Sequence, residues 1–258
     1  MQTYVDDAIV LHHLDYGEAD RIVTFFTPRH GRLKGFARGA RKSRRRFGPS
    51  LEPFAQIRLY WTLPRSGELV SLKEADLVDL RTGLRRDLVA VALAGYGCEL
   101  LEGLLGDGQE HPRAFALLQA FLDHLAARGG VPAARLLFEL RLLSEAGYGP
   151  HLLHCCACGG TLAEGQTAFD IGRGGSLCQA CAGSGAPLRV DLLTLGTLAR
   201  CLRARPTLFD GFRLSSKTLQ EGGAVLAAAL GHHLYRPLKT LPFLERMLAA
   251  ELGPDAAK

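Results

Sequence analysis

The first third of the chain alternates apolar and polar residues over short runs, which Gly, Pro, Asp or Arg-rich segments separate. Alternation with a period of two is the pattern of a half-buried β-strand. It predicts strands at residues 8–14, 22–27, 31–38, 57–63 and 69–75. Five short strands within about seventy residues are typical of a small β-barrel.

From about residue 80 the apolar residues recur at the spacing of three and four that an amphipathic helix requires. Pro- or Gly-containing breaks divide the first helical stretch into three helices, and Pro112 and Pro132 are suited to open the second and third. The same spacing returns near the C-terminal end. It predicts helices at 191–204, 215–231 and 237–252.

Between the two helical stretches lies a segment rich in Gly and Cys with no sustained period, which predicts a cross-linked loop module. The sequence therefore predicts an α+β protein of several domains. Its predicted parts are a barrel at 1–80, a first helical part at 81–150, the Cys-rich module at 151–187 and a second helical part at 188–258.

Four of the seven cysteines form two Cys-x-x-Cys pairs, and nineteen residues separate the pairs. The four residues are Cys155, Cys158, Cys178 and Cys181. Two such pairs, each on a tight turn, have the spacing of a four-cysteine zinc site. Four thiolates fill a tetrahedral coordination shell, so we expect one structural Zn²⁺ with no open position for a substrate.

Neighbouring residues leave alternatives open. His151 or His154 could replace a cysteine as ligand, or could form with Cys156 a zinc hydrolase of unfamiliar arrangement. A loop with four free thiols and no metal is a further alternative. The cysteines at 98 and 201 lie in helical patterns and are predicted to be buried core residues.

Positive charge is concentrated in one region of the chain. Residues 21–65 contain twelve Lys or Arg and one acid, a local charge of 12 − 1 = +11 in a chain whose total is +5. Alternation along the predicted third strand places four of these positions on one face: Arg32, Lys34, Phe36 and Arg38. A basic run follows directly: Arg41, Lys42, Arg44, Arg45 and Arg46.

Cations pair with phosphates and an aromatic ring offers a base a stacking surface, so this region is predicted to bind single-stranded nucleic acid. The alternative is a solvated charged loop that protects a sheet edge. In the predicted fourth strand, Trp61 is expected in the core and Tyr60 is a second, weaker stacking candidate.

The chain carries no Walker-type glycine loop, no His-Glu-x-x-His, no Gly-x-Ser-x-Gly and no zinc-deaminase signature, so we expect no enzymatic activity. Its uncharged stretches are too short or too polar for a membrane span. Two acids, Asp6 and Asp7, stand where a signal peptide would be basic and then apolar. We expect a cytoplasmic protein whose cysteines stay reduced.

Several segments together resemble the bacterial RecO family of recombination mediators and DNA repair proteins. They are Ala8–Leu11, Tyr16–Asp20, Ala37–Ser43, Leu51–Phe54, the two cysteine pairs and Arg236–Leu241. The resemblance runs through nearly the whole chain. Thr240 stands where the family pattern more often has Ser.

The resemblance implies that the barrel is an OB-fold and that a zinc module is inserted in the helical domain. It implies binding of single- and double-stranded DNA, annealing of complementary strands and, with RecR, loading of RecA onto strands coated by single-strand-binding protein, in a nucleoid-associated setting. The strand and loop from Arg32 to Arg46 would then contact DNA. A groove for the acidic, apolar-ended tail of single-strand-binding protein would use Arg200, Arg203, Arg236 and Lys239.

An RNA- or tRNA-binding protein with an OB-fold and a zinc module is the alternative function. Single-stranded DNA and RNA differ for such a surface only at the 2′-hydroxyl group.

Overall fold

Five β-strands in the N-terminal part of the chain close into a barrel in the computed structural model, which describes residues 2–64, 67–183 and 188–251. The strands are β1 (Thr3–Tyr16), β2 (Asp20–Thr27), β3 (Gly31–Ala37), β4 (Gln56–Thr62) and β5 (Val70–Asp79). Their order is β1-β2-β3-β5-β4, with β3 and β5 parallel and all other neighbours antiparallel. This is the topology of an OB-fold, as predicted.

Strand β1 is longer than its alternating pattern predicts because it serves two partners. Its residues 3–9 pair with β4 and its residues 9–16 pair with β2. The barrel interior contains the predicted core residue Trp61, which is 2% exposed. The indole Nε1 of Trp61 donates a hydrogen bond of 3.0 Å to Asp6, so the buried carboxylate of Asp6 is satisfied inside the fold.

The connection between β3 and β4, residues 38–55, is attached to the barrel along its length. We call it the β3–β4 loop. Its side chains Phe47 and Leu51 are 2% and 1% exposed and belong to the barrel core. The backbone carbonyl of Arg46 accepts a hydrogen bond from Ala75 N–H in β5. The loop therefore has a fixed shape despite its run of charges.

Helices follow the barrel close to the predicted positions. They are α1 (Leu88–Leu104), α2 (Pro112–Arg128), α3 (Pro132–Glu145), the short α4 (Gln179–Ala182), α5 (Leu192–Arg203), α6 (Ser216–His233) and α7 (Leu241–Glu251). Pro112 and Pro132 open α2 and α3, where the missing N–H would have no helical partner. At the start of α1 the carboxylate of Asp87 accepts hydrogen bonds from Val89 and Ala90 N–H.

The Cys-rich segment contains a small sheet that the sequence analysis missed. Strands β6 (Gln166–Asp170), β7 (Gly175–Leu177) and β8 (Leu188–Asp191) pair antiparallel in the order β7-β6-β8. The prediction of a loop module was wrong at this point. Strands of three to five residues are too short to show a period, and β8 lies beyond the predicted end of the module at 187.

The chain divides into two compact units. One unit contains residues 1–130 and 238–258, which include the barrel, α1, α2 and α7. The other contains residues 131–237, with α3, the Cys-rich segment, α5 and α6. The helical parts defined from sequence do not coincide with these units: 81–150 and 188–258 each contribute helices to both. Periodicity along the sequence identifies a helix but not the elements against which it packs.

Helix α7 begins at a hydrogen-bonded contact with α1. The carboxylate of Glu99 accepts hydrogen bonds from Lys239 N–H at 3.0 Å, from Thr240 N–H at 2.8 Å and from the Thr240 hydroxyl at 2.7 Å. An acceptor with negative charge is favourable where the N–H groups of a helix start are unpaired. Glu99 therefore fixes the place at which the C-terminal helix joins its unit.

In the second unit, the buried side chain of Arg141 connects α3 to the end of α5 and the loop after it. Its guanidinium donates hydrogen bonds to the carbonyl oxygens of Leu208 at 2.7 Å and Cys201 at 3.4 Å. The rings of Phe209 and Phe212 lie 5.1 and 5.2 Å from its Cζ atom. Burial lowers the pKa of Arg141, and carbonyl dipoles and ring faces solvate the charge.

Removing the hydroxyl of Thr240 should destabilise the unit that contains α7. We expect Thr240→Ala to lower the free energy of unfolding by about 1 to 2 kcal/mol, because it removes the hydrogen bond that the Thr240 hydroxyl donates to the charged carboxylate of Glu99. Thr240→Ser keeps the hydroxyl and should stay within about 0.5 kcal/mol of the unmodified chain. Urea unfolding followed by circular dichroism measures both. Equal losses for the two variants would contradict a stabilising role of this hydroxyl–carboxylate hydrogen bond.

Candidate nucleic-acid interface and metal centre

The side chains of β3 point alternately toward the barrel core and toward the surface, as the sequence alternation predicts. Leu33 and Ala37 pack against the barrel core, and a Cβ at Gly35 would meet the side chain of Leu72 at 2.4 Å. The opposite face, directed away from the core, presents the predicted positions Arg32, Lys34, Phe36 and Arg38. Glycine at position 35 thus lets the strand approach β5, where the barrel closes.

Arg32, a predicted nucleic-acid contact, has an intramolecular partner. Its guanidinium binds both carboxylate oxygens of Asp107, one of them at 2.9 Å, and donates a hydrogen bond of 3.5 Å to the carbonyl of Glu102. The hydrogen bond from Arg32 lowers the pKa of Asp107, and the same bond raises the pKa of Arg32. Arg32 therefore fastens β3 to the segment after α1, a contact between residues 75 positions apart.

The cations of the β3–β4 loop fall into two groups. Arg41 donates hydrogen bonds to the carbonyl oxygens of Gly17 and Glu18, in the turn between β1 and β2. Arg46 donates a hydrogen bond to the carbonyl of Arg38 at 2.7 Å, and its Cζ atom lies 5.1 Å from the ring of Phe47. These two arginines hold the loop in place.

The second group presents its charge to solvent, and we call it the exposed loop cations. Its members are Arg38, Lys42, Arg44 and Arg45. Within the part of the chain that the structure describes, their side chains are exposed and make no hydrogen bond or ion pair. Because the loop beneath them is fixed, a negatively charged polymer would meet these cations in a nearly preformed arrangement.

An exposed aromatic pair lies beside the loop, and sequence analysis missed one of its members. The rings of Tyr16 and Phe36 meet edge to face at 5.9 Å, and Tyr16 is 56% exposed. Strand pairing places Leu14, Ile22 and Phe36 side by side on the same outer face. Leu14 is 65% exposed, so this face offers an apolar row next to the cations.

A β-bulge explains why alternation did not reveal Tyr16. The register of β1 against β2 shifts between Val10 and His12. An even-numbered residue before the shift and an even-numbered residue after it therefore point to opposite faces of the strand. Strict alternation from Val10 places Tyr16 inside the barrel. In the structure Val10 is in the core and Tyr16 is on the surface.

Tyr60, the other stacking candidate, lies in acidic surroundings on the β4 side of the barrel. The carboxylate of Asp76, which is hydrogen-bonded to Tyr60, raises the pKa of its hydroxyl group, and Glu74 acts in the same direction. Carboxylates repel phosphates. The two carboxylates beside Tyr60 therefore disfavour a phosphate there, and Arg58 acts against them.

The four predicted metal ligands come together in the Cys-rich segment. Their Sγ atoms all lie within 4.8 Å of one another, and those of Cys158 and Cys178 are 3.8 Å apart. A tetrahedral zinc site with Zn–S bonds of about 2.3 Å places its sulfur atoms about 3.8 Å apart. Cys155 and Gly159 close the first turn with a hydrogen bond of 2.8 Å. The donor set therefore fits a tetrahedral metal ion that prefers thiolates.

The surroundings favour thiolate at Cys155 but not at Cys181, where hydrogen bonds with the neighbouring cysteines, Cys178 first, raise the pKa to about 12. Backbone N–H groups, first that of Cys178 and then those of Cys158 and Ala157, lower the pKa of Cys155 to about 6. Within the described part of the chain, the cluster consists of the four cysteines, and Cys156 and the two nearby histidines are not members of it. Cys98 and Cys201 are buried, as predicted.

The four residues predicted for a partner-tail groove are all exposed. Arg200 and Arg203 lie on α5 and Arg236 follows α6, all three in the unit 131–237, whereas Lys239 belongs to the other unit. The groove stays a prediction. Separately, no helix in the described ranges combines the length and apolar character that a membrane span requires.

An OB-fold barrel, a helical part and a four-cysteine cluster define the architectural class of this protein. The family models for the N-terminal and C-terminal parts of recombination protein O match residues 1–81 and 85–242. The chain belongs to the RecO family of DNA repair and recombination proteins.

Curated relatives agree over nearly the whole length. The chain is 51% identical over 247 residues to the DNA repair protein RecO of Syntrophotalea carbinolica, covering 96% of each protein. It is 42% identical over 247 residues to that of Geobacter metallireducens, covering 96% of this chain and 99% of the relative. For the protein of Myxococcus xanthus the values are 39% over 257 residues, with 99% and 100% covered.

The bidentate contact of Arg32 should contribute to stability in a pH-dependent way. At pH 7 we expect Arg32→Gln to lower the free energy of unfolding by about 1 kcal/mol, the upper value for a partly exposed ion pair. The folded-state pKa of Asp107 lies below its ordinary value. The contribution is therefore present above about pH 4 and is lost as the pH falls through the lowered pKa. Urea unfolding at several pH values measures it.

Arg38→Gln is the matched control, because Arg38 continues the same face of β3 and its side chain makes no hydrogen bond or ion pair within the described residues. We expect it to change the free energy of unfolding by less than about 0.5 kcal/mol. If Arg32→Gln behaves like this control, or if its effect is the same at all pH values, the pair does not stabilise the fold.

Proposed function

We propose that this protein is a mediator of DNA repair that binds single- and double-stranded DNA and anneals complementary strands. With RecR it would help to load RecA onto strands coated by single-strand-binding protein. The observation that carries the proposal is the pairing of a fixed basic loop with exposed aromatic rings on one face of an OB barrel. In OB-folds the face of strands two and three and the adjoining loops bind oligonucleotides.

The residues of this face would have different roles. Phe36 and Tyr16 would stack on unpaired bases, since each ring is partly open to solvent. The exposed loop cations and Lys34 would pair with phosphates. Arg41 and Arg46 would act by holding the loop, because their guanidinium groups are already bound to backbone carbonyls.

Family membership supports DNA over the alternative of an RNA or tRNA ligand. The surface itself offers cations and rings that serve either polymer. Competition between DNA and RNA oligomers of one sequence separates the two ligands, and preference for RNA would favour the alternative.

We expect removal of three of the four exposed loop cations to reduce the salt dependence of binding. Each phosphate contact on a single strand contributes about −0.7 to the slope of log affinity against log salt. Lys42→Ala, Arg44→Ala and Arg45→Ala together should therefore flatten the slope by about 2 units. Titration of a fluorescent oligonucleotide at several salt concentrations measures the slope. The same variant should anneal complementary coated strands more slowly.

Two controls separate charge at this site from charge in general. Arg85→Ala, Arg86→Ala and Arg113→Ala remove three exposed arginines elsewhere in the same unit and should leave the slope nearly unchanged. Phe36→Ala removes a stacking surface worth about 1 to 3 kcal/mol per base and no charge, so affinity should fall with the slope preserved. If the loop variant has the same salt slope as the unmodified chain, the loop does not contact phosphates and is only a solvated charged loop that protects a sheet edge.

For the cysteine cluster we propose one structural Zn²⁺ held by Cys155, Cys158, Cys178 and Cys181. The support is the mutual distance of the four Sγ atoms and the thiolate-favouring N–H groups around Cys155. When bound, the ion would cross-link the two turns, and four protein ligands would leave it no catalytic position. This agrees with a mediator that breaks no covalent bond and acts in the cytoplasm on the nucleoid.

Cys178→Ser should release the metal and loosen the Cys-rich segment, while the barrel unit stays folded. Elemental analysis of protein purified without chelator measures one zinc per chain before the change and none after it. Cys156→Ser is the matched control, since Cys156 is adjacent in sequence but outside the cluster, and it should retain zinc. Absence of zinc from the unmodified protein, or its loss in the control, would contradict this ligand set.

Of the four cations predicted for the partner-tail groove, Arg200 and Arg203, which both lie on α5, are proposed to contact the acidic tail of single-strand-binding protein. Their support is positive charge next to leucine-rich helices.

A further inference from the structure

An aromatic cluster lies at the C-terminal end of α6, far along the chain from the barrel face. The ring of Tyr148, in the loop after α3, stacks on that of His233 with centroids 4.2 Å apart and planes at 17°. His232 meets His233 edge to face at 4.9 Å. Tyr235 and Arg236 follow His233 after one intervening residue. We call these five residues the α6-end cluster, and all belong to the unit 131–237.

The cluster exposes aromatic surface that the fold does not use. Tyr235 is fully exposed and Tyr148 is 40% exposed. Large rings are normally buried, and a group of them on the surface marks a place where something binds. Neither the barrel face nor the cysteine cluster includes these residues. Their exposure therefore needs a separate explanation.

The charges around the cluster favour an anionic ligand. Residues 222–237 contain no Asp or Glu, and neither do residues 146–151. Glu145 at the end of α3 is half-buried, and Glu221 lies near the opposite end of α6 and hydrogen-bonds to Thr194. Arg236 is exposed and supplies a permanent positive charge.

His233 serves as a ring rather than as a cation at neutral pH. Burial, and then the neighbouring His232, lower the pKa of His233 below its ordinary value of about 6.5. A neutral imidazole stacked on a phenol ring forms a flat aromatic surface. Such a surface suits a second flat ring better than it suits an aliphatic side chain.

We propose that the α6-end cluster is a second contact site for single-stranded nucleic acid. One base stacks on the Tyr148–His233 surface, another stacks on Tyr235, and Arg236 pairs with a phosphate. Aromatic rings interleaved with a cation are the elements by which proteins bind unpaired strands without reading their sequence. The proposal rests on the proposed function of the chain and adds a contact outside the barrel.

Photocross-linking of the full-length protein to an oligodeoxynucleotide that carries 5-iodouracil tests the site directly. We expect cross-links at Tyr148 or Tyr235 in addition to those on the barrel face. They should persist in the variant lacking Lys42, Arg44 and Arg45, because the α6-end cluster does not depend on the loop. Tyr235→Ala should remove its cross-link and weaken binding about fivefold to a hundredfold, the range for one stacked base.

Tyr235→Phe keeps the ring and should keep the affinity. Leu193→Ala, which changes another highly exposed apolar residue of the same unit, should have no effect. Both Tyr235 variants should fold, since the side chain is fully exposed. Arg236→Ala should reduce the salt slope by about 0.7.

Cross-links confined to the barrel face would overturn the second site and leave the proposed function standing. Cross-links at the α6-end cluster alone would support the second site and refute the barrel interface. The absence of cross-links at both places would refute the second site and the barrel interface. If an acidic peptide with a terminal Phe binds the unmodified chain but not Tyr235→Ala, and no nucleic acid cross-links there, the cluster is a peptide site and the proposal is wrong.

Discussion

The insertion of Phe47 and Leu51 into the barrel core is the interaction on which the candidate interface depends. A run of five cations within six residues would repel itself and remain mobile if nothing held it. Phe47 and Leu51, which follow the run, enter the barrel, and Arg41 and Arg46 at its two ends bind backbone carbonyls. Burial of apolar surface therefore offsets the cost of concentrating positive charge in one place.

Local patterning was sufficient for much of the fold and insufficient for parts of the site. Alternation located the barrel strands, and the cysteine spacing located a cluster whose members lie far apart in the sequence. Tyr16 was missed because a bulge reverses the alternation, and the partner of Arg32 was missed because Asp107 is distant along the chain. The signal for the loop anchors was present, since Phe47 and Leu51 are apolar residues in an otherwise charged and polar segment.

The barrel and the Cys-rich segment achieve order by different means. The barrel has a large apolar interior, whereas the core cluster around the cysteines consists, among the described residues, of Cys155, Ala168, Leu177 and Ala182. A core of that size is too small to stabilise a segment with so many glycines, which is the situation in which small modules rely on a metal. Elsewhere in the same unit, a buried arginine is solvated by carbonyls and rings rather than by a carboxylate.

The anchoring of α7 by Glu99 has a consequence for biosynthesis. Residues 131–237 are, in chain order, an insertion between α2 and α7, so the barrel unit receives its last helix only after the whole second unit has been translated. Domains generally fold as units while the chain emerges, N-terminal parts first. In this protein the first unit to begin folding is the last to be completed, and the nascent barrel unit exposes the α1 surface that α7 covers until α7 has itself left the ribosome.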